Sequence, residues 1–247
     1  GGLGFDYKWD LGWMHDTLEY FQSAPEYRPR DYHKLTFSML YFYNERYILA
    51  FSHDEVVHGK ATILQKMSGD YEDKFPQARA MYLYMIMHPG KKLNFMGNEI
   101  GQLREWDEER EQDWDMIKYP IHDAFHHYMV KLNEIYKEHE ALHDDYNLDN
   151  FKWADCNKND DCIYAISRYG EDDTLLAIFN FNDKDVEDYS VILEAGKTAE
   201  LILHSNWEKY SGTVSENEEV YEIEEEDGKT KLTVDIPAFS GMLFQIM

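Results

Sequence analysis

The sequence predicts an α/β segment followed by an all-β one, and three observations carry that reading. Up to about residue 145, short apolar runs alternate with stretches of helical spacing; beyond it, strand patterns dominate. Two apolar runs in the first segment, Tyr47–Phe51 and Leu93–Met96, lead directly into polar clusters. Turn-like pieces such as Tyr169–Asp173 and Asn182–Lys184 punctuate the second segment. The division is placed between residues 143 and 144.

Taken in order, Leu3–Trp9 suits a short strand, and Leu11–Phe21 and Tyr32–Tyr43 have the apolar spacing of helices. Tyr47–Phe51 is a compact strand candidate followed at once by Ser52-His53-Asp54-Glu55. Gln77–His88 reads as a helix closed by Pro89-Gly90. Leu93–Met96 is a strand running into Gly97-Asn98-Glu99, and Ile121–His139 is a long amphipathic helix. Alternation of this kind is the mark of a parallel sheet with crossover helices, whose chemistry sits at the carboxyl ends of the strands. In the second segment Cys162–Tyr169, Thr174–Phe181, Tyr189–Leu193, Leu201–His204, Lys231–Ile236 and Met242–Met247 read as strands of an antiparallel sandwich.

The formal charge of −25, from 49 acids against 24 Lys and Arg, repels phosphate backbones and argues against nucleic-acid binding. A neutral ligand such as a sugar is indifferent to that field. The acids crowd at Glu216, Glu218, Glu219, Glu222, Glu224, Glu225, Glu226 and Asp227, which reads as a solvated loop or strand edge. No stretch is apolar enough to span a membrane, and no secretory signal opens the chain. The start Gly1-Gly2-Leu3-Gly4-Phe5 suits an excised fragment better than a natural amino terminus. Cys156 and Cys162 read as reduced thiols, and the expected location is the cytoplasm.

The stretch Phe51-Ser52-His53-Asp54-Glu55-Val56-Val57-His58-Gly59-Lys60 is the most informative. A metal site from His53, Glu55 and His58 has the wrong spacing, since zincins set two histidines four apart with Glu beside the first. A carbohydrate site fits better: His, Asp and Asn meet sugar hydroxyls, and a carboxylate stabilises positive charge growing on the sugar ring.

That stretch resembles the seventh-strand motif of branching enzymes in the alpha-amylase superfamily. Phe5-Asp6-Tyr7-Lys8-Trp9-Asp10-Leu11-Gly12-Trp13-Met14-His15-Asp16-Thr17-Leu18 resembles the segment around the sixth strand. Phe95-Met96-Gly97-Asn98-Glu99-Ile100-Gly101-Gln102 with Arg104-Glu105-Trp106 resembles the eighth strand and its loop. The resemblance runs in order from Gly1 to at least His139. It implies that residues 1–143 are the last three strand-helix units of a TIM (β/α)8 barrel, with a carboxy-terminal sandwich over 144–247.

The resemblance also implies roles. Asp54 matches the carboxylate that grips sugar hydroxyls and stabilises the transition state, and His53 its hydrogen-bonding neighbour in the donor subsite. Asn98 and Glu99 match a loop that supports the site, and Trp106 is a candidate for stacking on a glucan ring. Trp9, Trp13 and His15 are expected to pack the sixth strand-helix unit, and Trp153, Tyr164 and Trp207 to pack the sandwich core rather than stack on sugar. The partner implied is an alpha-glucan such as glycogen or amylose, and the chemistry requires no metal or organic cofactor.

A retaining mechanism needs a nucleophile and a general acid/base about 5–5.5 Å apart. In this family both precede the segment at Phe5, and nothing here resembles either motif, so the chain alone is expected to be inactive. Three strands also leave two free edges, through which the chain is expected to self-associate. Two rivals remain at this stage: a trehalose-forming hydrolase, disfavoured by the Val56–Lys60 extension, and a non-catalytic glucan-binding or scaffold module.

Overall fold

The computed structural model describes residues 3–217, 219–226 and 228–247. Gly1 and Gly2, together with Glu218 and Asp227 of the acidic run, lie outside them. Lys8–Trp9 (β1), Tyr47–Phe51 (β2) and Lys91–Asn94 (β3) form a parallel sheet in the order β1-β2-β3. Parallel neighbours need crossovers, and helices supply them. Leu11–Gln22 (α1) and His33–Thr36 (α2) lie between β1 and β2, Ile63–Lys66 (α3) and Tyr71–Met87 (α4) between β2 and β3, and Pro120–Glu138 (α5) follows β3.

Helix α1 begins where Asp10 Oδ1 accepts from the Trp13 backbone N–H at 2.9 Å, a side-chain cap for an otherwise unpaired donor. Its inner face buries Trp13, Met14, Leu18 and Phe21. Trp13 fulfils its packing expectation, with its ring 5.2 Å from Phe51. Trp9 and His15 do not: both are exposed, Trp9 because β1 is an edge strand and His15 because it lies on the outer face of α1.

The helix expected over Tyr32–Tyr43 is broken into α2 and two short 3-10 turns, Phe37–Leu40 and Phe42–Asn44. Aromatic and β-branched residues are weak helix formers, and Phe42 is fully buried against Tyr47, His88 and Tyr146, so ring packing overrides the helical pattern. Helix α4 instead starts earlier than expected, at Tyr71, because Asp70 and Asp73 form a capping box; Pro76 costs the ladder only one bond. Strand β3 is shifted to Lys91–Asn94, since Lys92 is half-buried with its amine on the His88 and Gly90 carbonyl oxygens. Burial holds that amine at about 7.

The strands of the second segment pair antiparallel. Its strands are Phe151–Lys158 (β4), Ile163–Tyr169 (β5), Thr174–Asn180 (β6), Val186–Leu193 (β7), Thr198–His204 (β8), Val220–Glu222 (β9), Glu224–Glu226 (β10), Lys229–Ile236 (β11) and Ser240–Ile246 (β12). One sheet runs β4-β5-β6-β12-β8-β9 and the other β10-β11-β7. Strand β11 alternates, burying Leu232, Val234 and Ile236. Strand β6 buries every residue from Leu175 to Asn180, because one face meets the smaller sheet and the other meets α4.

Sequence reading missed β4, β9 and β10. The register of β4 slips at Trp153/Asp155 and again at Asp155/Lys158, which breaks the alternation. Strands β9 and β10 lie within the acidic run and occupy the outer edges of their sheets, where charge blunts edge-to-edge pairing. Tyr164 and Trp207 are core residues, and Trp153 is half-buried on Phe151 and Tyr164. Both cysteines are unpaired.

Helix α4 is enclosed on all sides from Gln77 to Met87. Tyr82 meets Phe51 and Phe125, while Tyr84 meets Phe179 and Phe181. Gly241 permits the close approach of α4 to β12: a Cβ there would stand 2.9 Å from Leu83 Cδ2. Three buried arginines pin the two segments together. Arg28 donates to Phe181 O, Arg79 to Ser205 O and to Asn206 Oδ1, and Arg168 to Met87 O at 3.0 Å.

His88 is fully buried at the same junction. Its Nε2 lies 2.8 Å from Ser38 Oγ and its Nδ1 2.8 Å from Pro89 O, a pairing that suits a neutral ring. Burial pushes its value down to about 3. Below about pH 6.5 the unfolded chain gains a proton that folded His88 refuses, so its contribution to stability falls as pH drops from there towards 3. His204, lowered to about 4 by burial and by Arg79, acts in the same sense. His88→Gln is expected to flatten the acid limb by about 1.4 kcal/mol per pH unit, read from urea midpoints between roughly pH 6.5 and 4.5.

Candidate active site

Strand β2 is the central strand of the parallel sheet, and its buried apolar run ends at Phe51. Ser52 then caps a single 3-10 turn, His53–Glu55, its Oγ accepting from the Asp54 N–H at 3.2 Å. The turn swings Asp54 outward at the carboxyl end of the strand, with 61% of its side chain exposed. His53 Nε2 lies 3.3 Å from Asp54 Oδ1.

The loop after β3 supplies the facing wall. The Phe95 N–H still donates to Phe51 O at 2.9 Å, carrying the pairing past the strand. Gly97, at φ 92°, turns the chain away, and a Cβ there would lie 2.8 Å from Gln112 Oε1. The chain returns at Trp106, whose backbone N–H donates to Val56 O at 2.9 Å. Its ring stands edge-on to His53 at 5.8 Å and to Phe95 at 5.3 Å. Arg104 braces the loop by pairing with Asp113 at 2.8 Å.

The resulting open cleft is lined by His53, Asp54, Val57, His58, Glu105 and Trp106, with Arg104 and further acids along the rim. Three of the five expected site residues are thus brought together. Asn98 and Glu99 do not line this cleft. Asn98 is buried and donates to Asn94 Oδ1, which also accepts from the Tyr82 hydroxyl; Glu99 is half-buried and acts electrostatically on that same tyrosine. Both stand behind the strand ends, towards α4. Of the triad weighed for metal, Glu55 is buried while His58 is exposed. Among the described residues no group of three His, Cys, Asp or Glu is arranged to hold a metal ion.

Sequence reading missed the supports. Glu105 accepts from the Gly59 and Ala61 N–H groups, which hold its carboxyl below the usual range, and Lys66 donates to carbonyls of the same loop. The adjacency of Glu105 to Trp106 was the only available signal.

What this arrangement can do chemically is limited but definite. An exposed carboxylate beside an imidazole, opposite an indole edge, can accept hydroxyl hydrogen bonds and stabilise positive charge on a bound ring. Comparison with known proteins narrows the identity. Residues 153–247 match the family described as alpha amylase, C-terminal all-beta domain. The chain is 44% identical over 216 residues to the 1,4-alpha-glucan branching enzyme GlgB of Bacillus cereus (strain G9842), covering 86% of this chain and 34% of that protein. The same figures hold for GlgB of Bacillus anthracis (strain CDC 684 / NRRL 3495). The chain thus spans about a third of the length of the curated relatives it matches.

Two solved alpha-amylases share the fold. One from H.orenii has a TM-score of 0.62 at 14% identity, over 99% of this chain and 49% of that one. One from Anoxybacillus has 0.61 at 13%, over 98% and 47%. The chain therefore belongs to the 1,4-alpha-glucan branching enzyme family, with an alpha-amylase-like fold, and corresponds to the family's carboxy-terminal part.

Proposed function

We propose that this chain is the part of a branching enzyme that completes the donor site, within a protein that cleaves an alpha-1,4-glucan and transfers the freed segment to a 6-hydroxyl. Residues 1–143 are the last three strand-helix units of a (β/α)8 barrel, and residues 144–247 are the sandwich domain. The single observation that carries the reading is the position of Asp54: exposed at the carboxyl end of the central parallel strand, beside His53, whose ring meets Trp106. The identity of the relatives supports it.

The chemistry follows from retention. A nucleophilic carboxylate displaces the leaving glucan while a carboxylic acid protonates the glycosidic oxygen, and a 6-hydroxyl then attacks the glycosyl-enzyme in place of water. The anomeric carbon becomes electron-poor in both steps. Asp54 faces that charge and holds the ring hydroxyls, His53 adds a hydrogen bond, and Trp106 offers an aromatic surface. Asn98 and Glu99 support the strand ends from behind. The branching reading assigns the nucleophile Asp and the acid/base Glu to family motifs that nothing in these 247 residues resembles, so the isolated chain is expected to bind glucan at most.

The free edges of β1 and β3 are covered by the missing strands or, in the isolated chain, by a second copy. Leu3, Phe5 and Leu11 around β1 are exposed apolar residues that such a contact would cover. No helix among the described residues is long and apolar enough to cross a membrane, and a cytoplasmic setting suits a glucan-building enzyme.

The test uses amylose. The full-length protein carrying this sequence is expected to bleach iodine colour without a matching rise in reducing ends, while the isolated chain does neither. Reducing ends rising in step with bleaching would make the protein a hydrolase instead. Light scattering that returns one mass at every concentration would remove self-association.

A further inference from the structure

The loop from Val56 to Ala61 forms part of the cleft wall, and its backbone is unusual. His58, Gly59 and Ala61 all have left-handed φ values, of 60°, 79° and 65°. Two of them carry a Cβ, which disfavours that region, so the conformation persists only where surrounding groups impose it. Two side chains do so with opposite polarity. Glu105 Oε2 accepts from the Gly59 N–H at 2.9 Å, and Oε1 from the Ala61 N–H at 2.7 Å. A left-handed turn aims neighbouring N–H groups into one concavity suited to an anion, and here the Glu105 carboxylate fills it. On the other side, the buried Lys66 ammonium donates to the carbonyls of Glu55, Lys60 and Ala61, each at 2.6 Å. Its three donors match three acceptors, so none is left over.

Both grips lead to the residues of the cleft. Lys60 Nζ donates to Asp54 O at 2.6 Å, which ties the loop to the turn carrying Asp54. Trp106 follows Glu105 in the chain and is bonded through its own N–H to Val56 O, so the seat of Glu105 also sets the indole against His53. We propose that Glu105 and Lys66 are positioning residues that clamp the Val56–Ala61 loop and thereby hold His53, Asp54 and Trp106 around one substrate-sized cleft. This rests on the branching reading of that cleft.

The clamp has a titratable half. Burial lowers Lys66 to about 8; Glu55 and Glu105 favour its charge, and Lys60 opposes it. Loss of its proton leaves two N–H groups for three carbonyls, so one strut of the loop opens above that pH.

The experiment measures kcat and KM on amylose across the alkaline range, using the full-length protein that carries this sequence. Glu105→Gln places an amide N–H against backbone donors. It is expected to lower kcat about tenfold or more with KM changed by less than about threefold, because alignment and not binding is lost. Glu105→Asp, which keeps the carboxylate, recovers part of that loss. The unaltered protein is expected to lose kcat as pH rises past about 8, and Lys66→Arg, which stays charged, is expected to move that fall up by about one unit or more. Glu105→Gln with kcat within about twofold, or Lys66→Arg with an unmoved alkaline limb, overturns the proposal. Should Glu105→Gln fail to fold, the Asp and Arg variants decide. An inactive Asp54→Asn beside a fully active Glu105→Gln would sink the clamp alone, whereas an active Asp54→Asn would sink the branching reading beneath it.

Discussion

Full-length protein carrying Asp54→Asn is expected to lose about a thousandfold in kcat, roughly 4 kcal/mol of transition-state stabilisation, with little change in KM. The side chain is more exposed than buried, and its ionic neighbour among the described residues is His53, so the amide leaves the fold intact. The substitution keeps an oxygen that accepts from sugar hydroxyls and from the imidazole, and it removes the negative charge. On the proposed function, ground-state binding therefore survives, while the electron-poor anomeric carbon loses the group proposed to face it. The rate of alpha-1,6 linkage formation, followed by proton NMR, reads the loss. Retardation in glycogen-containing gels reads the retained binding. A kcat within about tenfold of the unaltered protein would deny Asp54 its role.

Arg168→Met is expected to lower the unfolding free energy of the chain by about 3–5 kcal/mol, the usual cost of stranding one member of a buried ion pair. Arg168 and Asp145 are both fully buried, and the guanidinium lies 3.3 Å from Asp145 Oδ1. Burial alone would raise the Asp145 carboxyl. Lys92, Lys91 and Arg168 more than offset that and hold it below the ordinary carboxylate range. With the guanidinium gone, Asp145 keeps the half-exposed Lys91 at 2.9 Å and the half-buried Lys92 nearby. Arg168 also donates to Met87 O at the end of α4 and to Asn150 Oδ1, so those acceptors lose partners too. Adding Asp145→Leu is expected to return part of the loss, because two apolar side chains replace a broken pair. Urea denaturation of both variants measures the difference, and a single-variant loss below about 1 kcal/mol would contradict the account.

The legible parts of the fold were those whose burial is apolar and regular. Tyr47–Phe51 and Thr174–Asn180 announce themselves as strands because neither face meets water, and α5 because its apolar face repeats cleanly. Lys91 and Lys92 hid the start of β3, since a half-buried lysine is paired by groups no local pattern reveals. The acidic edge strands and the slipped register of β4 were illegible for the same reason: pairing partners far along the chain decide them. The placement of His53 and Asp54 at a strand's carboxyl end was readable because a polar cluster follows an apolar run directly. The contact between Trp106 and His53 was not, and neither was the hold of Glu105 and Lys66, whose partners are backbone atoms that any residue would present. Asn98 and Glu99 were named only through the resemblance of their loop; after the turn at Gly97, Asn98 bonds to Asn94 and neither residue lines the cleft.

The enclosure of α4 has a consequence for how such proteins can be recombined. Because Leu83 and Tyr84 are seated against β12 and β6, the sandwich cannot be exchanged between relatives as a self-contained cassette. A graft that imports the sandwich without the matching outer face of this helix would meet a foreign surface at Gly241 and at Phe179. The heritable module is the sandwich plus one side of a helix encoded far upstream, so crossovers in the intervening stretch should be tolerated only between parents that agree at both places.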